Sequence, residues 1–303
     1  MDFYGMTGEK LGTIGQVEGK SPRQGNLPQW KKDFLEKPSV SIRKGIAWGF
    51  SSPYEDTSTL VLTSPKSDFV DIRFPVQPDP SKPLASDPAF WAFSGSATTT
   101  FDPDTSEITM PYSAHCVWKH DIDSKGPGTT DEGDMFLLPN GDCMEIGMME
   151  NHKTRKVEMY KEYWSSPASE LGSGGLRKTP CVVAKTRELV DQGRAPQTGS
   201  GVIIRVGDYC QGIVQQSRQD GTPGVLVERW TKCLVEKNPA LSDQSDVSET
   251  TAAEWLKDWR SNTSPDDQVE VAIPCMWACG DNRKVGDEIV VHAITWRITE
   301  VVL

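Results

Sequence analysis

The sequence predicts an all-β protein, two tandem antiparallel β-barrels with a short capping helix in the second. Three observations carry this. Short alternating segments, separated by Pro, Asp, Gly and Ser clusters, fill most of the 303 residues. Asn140-Gly141 stands between Met135–Leu138 and Cys143–Ile146, a strong short-range hairpin signal, because a type I′ turn needs positive φ at both central residues. The pattern then restarts after a Gly/Ser-rich stretch. Val225–Trp230 echoes Val157–Trp164, each an apolar strand that carries a Glu and closes on Trp.

Residues 1–38 are rich in Gly, Lys and Glu and read as a flexible arm. Within it, Gln29–Lys37 is expected to form a short helix with Trp30 and Phe34 on one side. From Ser39 the helical period disappears. Val40–Phe50, Thr59–Thr63, Phe69–Val76, Phe90–Thr100, Ile108–Lys119, Met135–Leu138, Cys143–Met149 and Lys156–Trp164 read as the eight strands of a first barrel, residues 39–166. A second reversal at Asn151–Thr154 makes the last three an almost uninterrupted meander. Along the last of them Glu158, Tyr160, Glu162 and Trp164 share one face, and Val157, Met159, Lys161 and Tyr163 the other. Both faces mix apolar with ionisable groups, so alternation alone leaves open which is inside.

Residues 167–180 read as a linker. In residues 181–303 the segments Cys181–Glu188, Gly201–Asp208, Gln211–Gln216, Val225–Lys232, Gln268–Ile273, Glu288–His292 and Thr295–Val301 supply the second barrel. Thr251-Ala252-Ala253-Glu254 has the form of a capping box, with Trp255 and Trp259 following at i, i+4, and predicts the capping helix.

Composition narrows the function. Lys+Arg 32 against Asp+Glu 43 gives a net charge of −11, and both halves are acidic, which argues against a nucleic-acid surface. Seven cysteines without framework spacing, and no charged-then-apolar leader, lead to the expectation of a reduced, cytoplasmic compartment. No apolar run approaches membrane-spanning length.

The familiar motifs are weak. Gly172–Thr179 resembles a phosphate loop, but Arg177 occupies the glycine position before the lysine. Cys275-x-x-x-Cys279 and His115-Cys116-x-x-x-His120 lack a matching second pair for zinc. The acidic run from Asp121 to Asp134 lacks the alternation of a calcium loop and reads as a solvated loop. Neither a nucleophile elbow nor a dinucleotide fingerprint is present. No metal and no cofactor is therefore expected. What remains is a set of amphipathic groups around the meander: Trp48, Trp91, Phe93, Tyr112, His115, Trp118, Glu145, Tyr160, Glu162 and Trp164. They serve equally as core or as the wall of a pocket for an unsaturated, moderately polar ligand.

His120-x-Ile122-Asp123-Ser124, Asp131-x-Gly133, Glu145-x-Gly147 and Tyr160-x-Glu162-x-Trp164, with Val206–Tyr209 and Glu228-Arg229-Trp230, resemble the fungal Hri family. That resemblance spans roughly residues 40–303 and implies two barrels of lipocalin-like build in proteins named for a kinase association. Lys161, where a second acidic residue is expected, and the long arm depart from it. The architecture is also similar to hetero-Diels-Alderases of fungal tropolone-sesquiterpenoid pathways. This implies a cofactor-independent pericyclase that joins a tropolone quinone methide to a humulene-type terpene. Such chemistry rests on positioning and hydrogen-bond donation. His115, Tyr160 and Glu145 are the expected acid or donor groups. Trp48, Trp91, Phe93, Tyr112, Trp118, Glu162 and Trp164 are expected to bind substrate, with Arg205 and Tyr209 at the barrel interface. The expected partners are lipophilic small molecules and, in a homodimer, a second copy. The alternative is a non-enzymatic lipocalin-like binder or kinase-associated adaptor.

Overall fold

The computed structural model describes residues 2–4, 10–13, 36–101, 113–126, 130–151, 153–167, 179–186, 200–217, 223–236, 251–260, 273–292 and 294–302. Residues 1–35 form a unit of their own, in which β1 (Asp2–Tyr4) pairs antiparallel with β2 (Lys10–Thr13). A ribbon thus stands where composition predicts a flexible arm. The expected helix at Gln29–Lys37 lies largely outside the described residues.

The second unit begins at Glu36. Its strands β3 (Ser39–Trp48), β4 (Thr57–Thr63), β5 (Asp68–Pro75), β6 (Trp91–Phe101), β7 (Ser113–Asp123), β8 (Thr130–Leu137), β9 (Cys143–Asn151) and β10 (Lys156–Ser165) close an antiparallel barrel. Each strand pairs with the next, and β10 returns to β3. Closure removes every free edge in the barrel.

The β8–β9 hairpin forms, but not with a two-residue turn. Gly141 N–H donates to Leu138 O at 3.0 Å and Gly141 alone takes positive φ, +89°. Pro139, with φ restricted near −65°, suits the second position of a turn over residues 138–141 and displaces the type I′ alternative. The acidic run is likewise part of a strand. Asp131 to Asp134 lie in β8, and Gly133 faces Glu145 and Tyr160 across the interior. Asp131, two residues away, shares that inward face.

The second half differs from a closed barrel. Strands β11 (Cys181–Thr186), β12 (Gly201–Val206), β13 (Tyr209–Ser217), β14 (Pro223–Glu236), β15 (Thr251–Arg260), β16 (Glu288–Val291) and β17 (Ile294–Val302) form one sheet in the order β15-β14-β13-β12-β11-β17-β16. It is a half-barrel among the described residues. The predicted capping helix at 251–260 is instead β15, paired along β14 from Glu236↔Thr251 to Glu228↔Arg260. A spacing of four is a multiple of two, so the interval from Trp255 to Trp259 does not by itself tell helix from strand, and in β15 the register shift between Arg229 and Trp230 interrupts the alternation between them. The 14-residue β14 offers a long edge that takes up the segment as ladder. The plug comes from elsewhere: the four-residue helix α1 (Cys275–Ala278) buries Cys275 and Ala278, with Ile273 and Cys279, against Val182, Ile203, Cys210 and Trp296.

Barrel and sheet share one core. Val70, Ile72 and Phe74 of β5, with Leu60, Leu62 and Ala92, pack against Val183, Ile204, Ile213 and Val227 of the sheet. Both faces of β5 are therefore covered, which explains its near-continuous burial. Only the face with Val70, Ile72 and Phe74 is apolar. The other, with Phe69, Asp71 and Arg73, lines the barrel.

Candidate functional site

Alternation with period two sends a polar set into the barrel. Arg43 comes from β3, Thr57 and Thr59 from β4, and Asp71 and Arg73 from β5. His120 comes from β7, Asp131 from β8, Glu145 from β9, and Tyr160, Glu162 and Trp164 from β10. The face left open by the sequence is thus decided. Tyr160, Glu162 and Trp164 are buried, whereas Val157 is 67% exposed.

The buried ions are paired. Arg43 Nη1 donates to Glu162 at 2.5 Å, and its Nε and Nη2 donate to Glu55 at 2.9 Å each. Arg73 makes two bonds to Asp71 Oδ2, at 3.0 and 2.8 Å, and its Nη1 lies 3.6 Å from Glu162. Its guanidinium sits over Trp91 and Phe93, 4.8 and 5.3 Å from the ring centres. Two arginines thus face Glu55, Asp71, Asp131, Glu145 and Glu162, a surplus of carboxyls. Burial, with Glu162 and Asp131 nearby, pushes Glu145 well above the usual carboxylate range. Burial also raises Asp71, and raises Asp131 to about 6. Protonation relieves this surplus of negative charge.

Glu145 is held in place. Tyr160 Oη donates to its Oε1 at 2.7 Å and Trp164 Nε1 to its Oε2 at 3.0 Å. Gly147 makes room for the phenol: a Cβ there would fall 2.5 Å from Tyr160 Oη, a contact that forces a shift. At the His120 end, Asp123 Oδ1 accepts from Trp91 Nε1 and the Lys125 backbone N–H, and Oδ2 lies 2.7 Å from His120 Nδ1. His120 stacks on Phe93 with ring centres 4.1 Å apart.

Three buried polar atoms of this interior have no partner: Trp48 Nε1, Asp71 Oδ1 and His120 Nε2. Buried polar atoms are normally satisfied, so these three stand apart from the rest of the paired interior.

The barrel brings together Trp48, Trp91, Phe93, Trp118, Glu145, Tyr160, Glu162 and Trp164 from the expected set. It does not bring His115 with them. Its side chain is 44% exposed and pairs with Asp134 at 2.9 Å on the outer wall, because its neighbour Cys116 takes the inward position. Arg205 and Tyr209 belong to the second sheet. Arg205 donates to Cys279 O and Asp281, while Tyr209 packs on the core shared with the barrel. Tyr112 lies outside the described residues. Sequence reasoning missed Arg43, Asp71, Arg73, His120, Asp123 and Asp131 as site residues. The signal was there in Asp71-Ile72-Arg73, where a strand with one apolar face places opposite charges on the other.

Among the described residues, no group of three or more His, Cys, Asp or Glu is arranged to hold a metal ion. No helix there is long and apolar enough to cross a membrane.

The chain is similar to the crystal structure of an uncharacterized protein from Saccharomyces cerevisiae, with a TM-score of 0.59 and 15% identity over 88% of this chain and 99% of that one. That likeness concerns the fold alone. No curated protein matches the chain. The family model described as Protein HRI1 matches residues 39–300, from the first strand of the barrel almost to the end of the last strand of the sheet. The chain belongs to the HRI1 family.

Proposed function

We propose that this chain is a lipocalin-like binding protein whose first barrel takes up a small molecule. The observation that carries this reading is the set of unpartnered interior atoms, Trp48 Nε1, Asp71 Oδ1 and His120 Nε2. They lie among aromatic walls, and a ligand with both donor and acceptor atoms would satisfy them. Access fits the end of the barrel at which Trp48, Trp118, Asp131 and Met149 are only half-buried. The test is native mass spectrometry of the full chain purified from its source organism, followed by denaturation. A stoichiometric small molecule released on unfolding is the expected result. A bare protein that also gains no thermal stability from a lipophilic and polar metabolite extract would overturn it.

A second reading is the cofactor-independent cyclase of the hetero-Diels-Alder type, and Glu145 favours it. A carboxyl held protonated beside the Tyr160 phenol can assist loss of water from a hydroxylated tropolone, and Tyr160 can donate to the oxygen that gains charge. In this reading Trp48, Trp118 and Trp164 stack on the partners. Incubation with a hydroxymethyl tropolone and a humulene-type alkene is expected to give adduct faster than buffer does. Glu145→Gln is expected to abolish that gain while remaining folded. A rate equal to buffer for the wild-type chain would remove this reading and leave the first standing. Cytoplasmic location and a homodimer remain part of the proposal, to be checked by fractionation and by light scattering.

A further inference from the structure

The barrel wall made by β8, β9 and β10 lies across the interior from β4 and β5, the wall on which the second sheet packs. Gly133, Glu145, Tyr160 and Glu162 point inward, so alternation turns Phe136 of β8, Met144, Ile146 and Met148 of β9, and Met159 and Tyr163 of β10 outward. Met148 is 61% exposed. A contiguous outward face of this kind marks an interaction surface, and methionine and aromatic side chains are enriched in interfaces. In its middle stands Lys161, which has no carboxylate within ion-pair distance among the described residues. The ladders fix its neighbours. Lys161 pairs with Ile146 and Ile146 with Asp134, so base, apolar centre and acid form one row across the wall. The next row is Tyr163, Met144 and Phe136. Asp134 is 62% exposed and holds His115 at 2.9 Å on its far side.

We propose that this wall is the interface with a second copy of the chain, related by a twofold axis that runs along β9. Such an axis exchanges β8 with β10 and leaves β9 facing itself. Lys161 then meets Asp134 of the second copy, twice by symmetry, and Tyr163 meets Phe136. Met144, Ile146 and Met148 meet their own mates. Stacked sheets lie about 10 Å apart, a gap that a lysine and an aspartate span together. An axis across the strands would instead lay β10 on β10 and set Lys161 against Lys161, which like charge opposes. With β7 and β3 at its flanks the wall measures roughly 25 Å by 20 Å. The pair therefore buries about 1,000 Å² in all, the lower limit for a specific interface, which suits a dimer that forms in the micromolar range. This surface deepens, and rests on, the homodimer of the preceding reading. The ligand of the barrel plays no part in it.

Sedimentation velocity of the full chain over a concentration series tests this. The wild type is expected to pass from monomer to dimer in the micromolar range. A wild type that stays monomeric up to about 100 µM overturns both the interface and the homodimer, and leaves the small-molecule reading intact. Lys161→Glu and Asp134→Lys are each expected to weaken the dimer at least about ten-fold, since each sets like charges face to face. Mixed in equal amounts, the two variants are expected to associate with each other, because every contact across that mixed pair joins opposite charges. A mixture no more associated than its components overturns the pairing of Lys161 with Asp134. Should a charge variant fail to fold, Met148→Lys, at an exposed side chain, is expected to abolish the dimer. A dimer unchanged by these substitutions overturns this interface and leaves the homodimer standing on another surface.

Discussion

The guanidinium of Arg229 and the side-chain amide of Gln211, 2.8 Å apart, carry the second sheet onto the β4–β5 wall of the barrel. Gln211 Nε2 donates to the carbonyls of Leu60 and Val70, at 2.9 and 3.1 Å. Arg229 donates to Ser58 O, Ser58 Oγ and Ile72 O. Every one of these acceptors lies on β4 or β5, inside an otherwise apolar contact. Burial pulls the Arg229 pKa down to about 10, which leaves it charged at neutral pH.

Arg229→Met is expected to strand the carbonyls of Ser58 and Ile72, and Gln211→Leu those of Leu60 and Val70. Each change should cost about 2–4 kcal/mol in urea unfolding. Because the two side chains bond to each other, the double variant should lose clearly less than the sum of the singles. Additive losses would mean that Gln211 and Arg229 act separately.

Asp131 makes stability depend on pH with a definite sign. Its folded carboxyl holds a proton to about pH 6, against an ordinary value of 3.8. Between these values the folded chain binds more protons than the unfolded one, so this site's contribution falls as pH rises and is flat above. Asp131→Asn should match the wild type near pH 4 and exceed it by up to about 2 kcal/mol above pH 6. A variant less stable than wild type at pH 7 would show that the charged form is the one the barrel needs.

Glu145 separates charge from hydrogen bonding. A carboxyl held neutral is mimicked by an amide, so Glu145→Gln should keep stability within about 1 kcal/mol at neutral pH. Glu145→Ala removes the acceptor of both Tyr160 and Trp164 and should cost about 2–4 kcal/mol. Equal loss from both, read from unfolding midpoints, would point to an ionised Glu145.

Gly147 is required for space. An added methyl would meet Tyr160 Oη, Cε1 and Cζ at 2.5–2.6 Å, and the phenol has no room because it also lies over Gly133. Gly147→Ala should therefore cost about 1–3 kcal/mol and disturb the Glu145 bond. The same exchange at Gly49, where no atom lies within 4 Å, tests backbone strain alone, its φ being +54°. A neutral Gly147→Ala would mean that Tyr160 can move aside.

The sequence by itself determined the strands of the barrel, because Pro, Asp and Gly clusters bound short alternating runs and each run needs one buried face. It also determined most of the aromatic and acidic members of the site, since Trp48, Trp91, Phe93, Trp118, Glu145, Tyr160, Glu162 and Trp164 stand on those runs. Tertiary structure alone decided the rest. Whether Tyr160 or Tyr163 faces inward follows from closure of the barrel through β10 between β9 and β3, because both faces of β10 carry ionisable groups. That Asp71 and Arg73 line an interior follows from the packing of Val70 and Ile72 on a sheet more than a hundred residues away, a long-range contact to which local pattern is blind. Residues 251–260 satisfy helical and strand spacing alike, and the long free edge of β14 settled it as ladder. His115 and His120 both stand on β7 in the sequence. They are five residues apart, so period two sends them to opposite walls, and barrel closure decides that the wall of Cys116 and His120 is the inner one; the register shift between Ser94 and Gly95, beyond His120, lets Asp123 return to the His120 side.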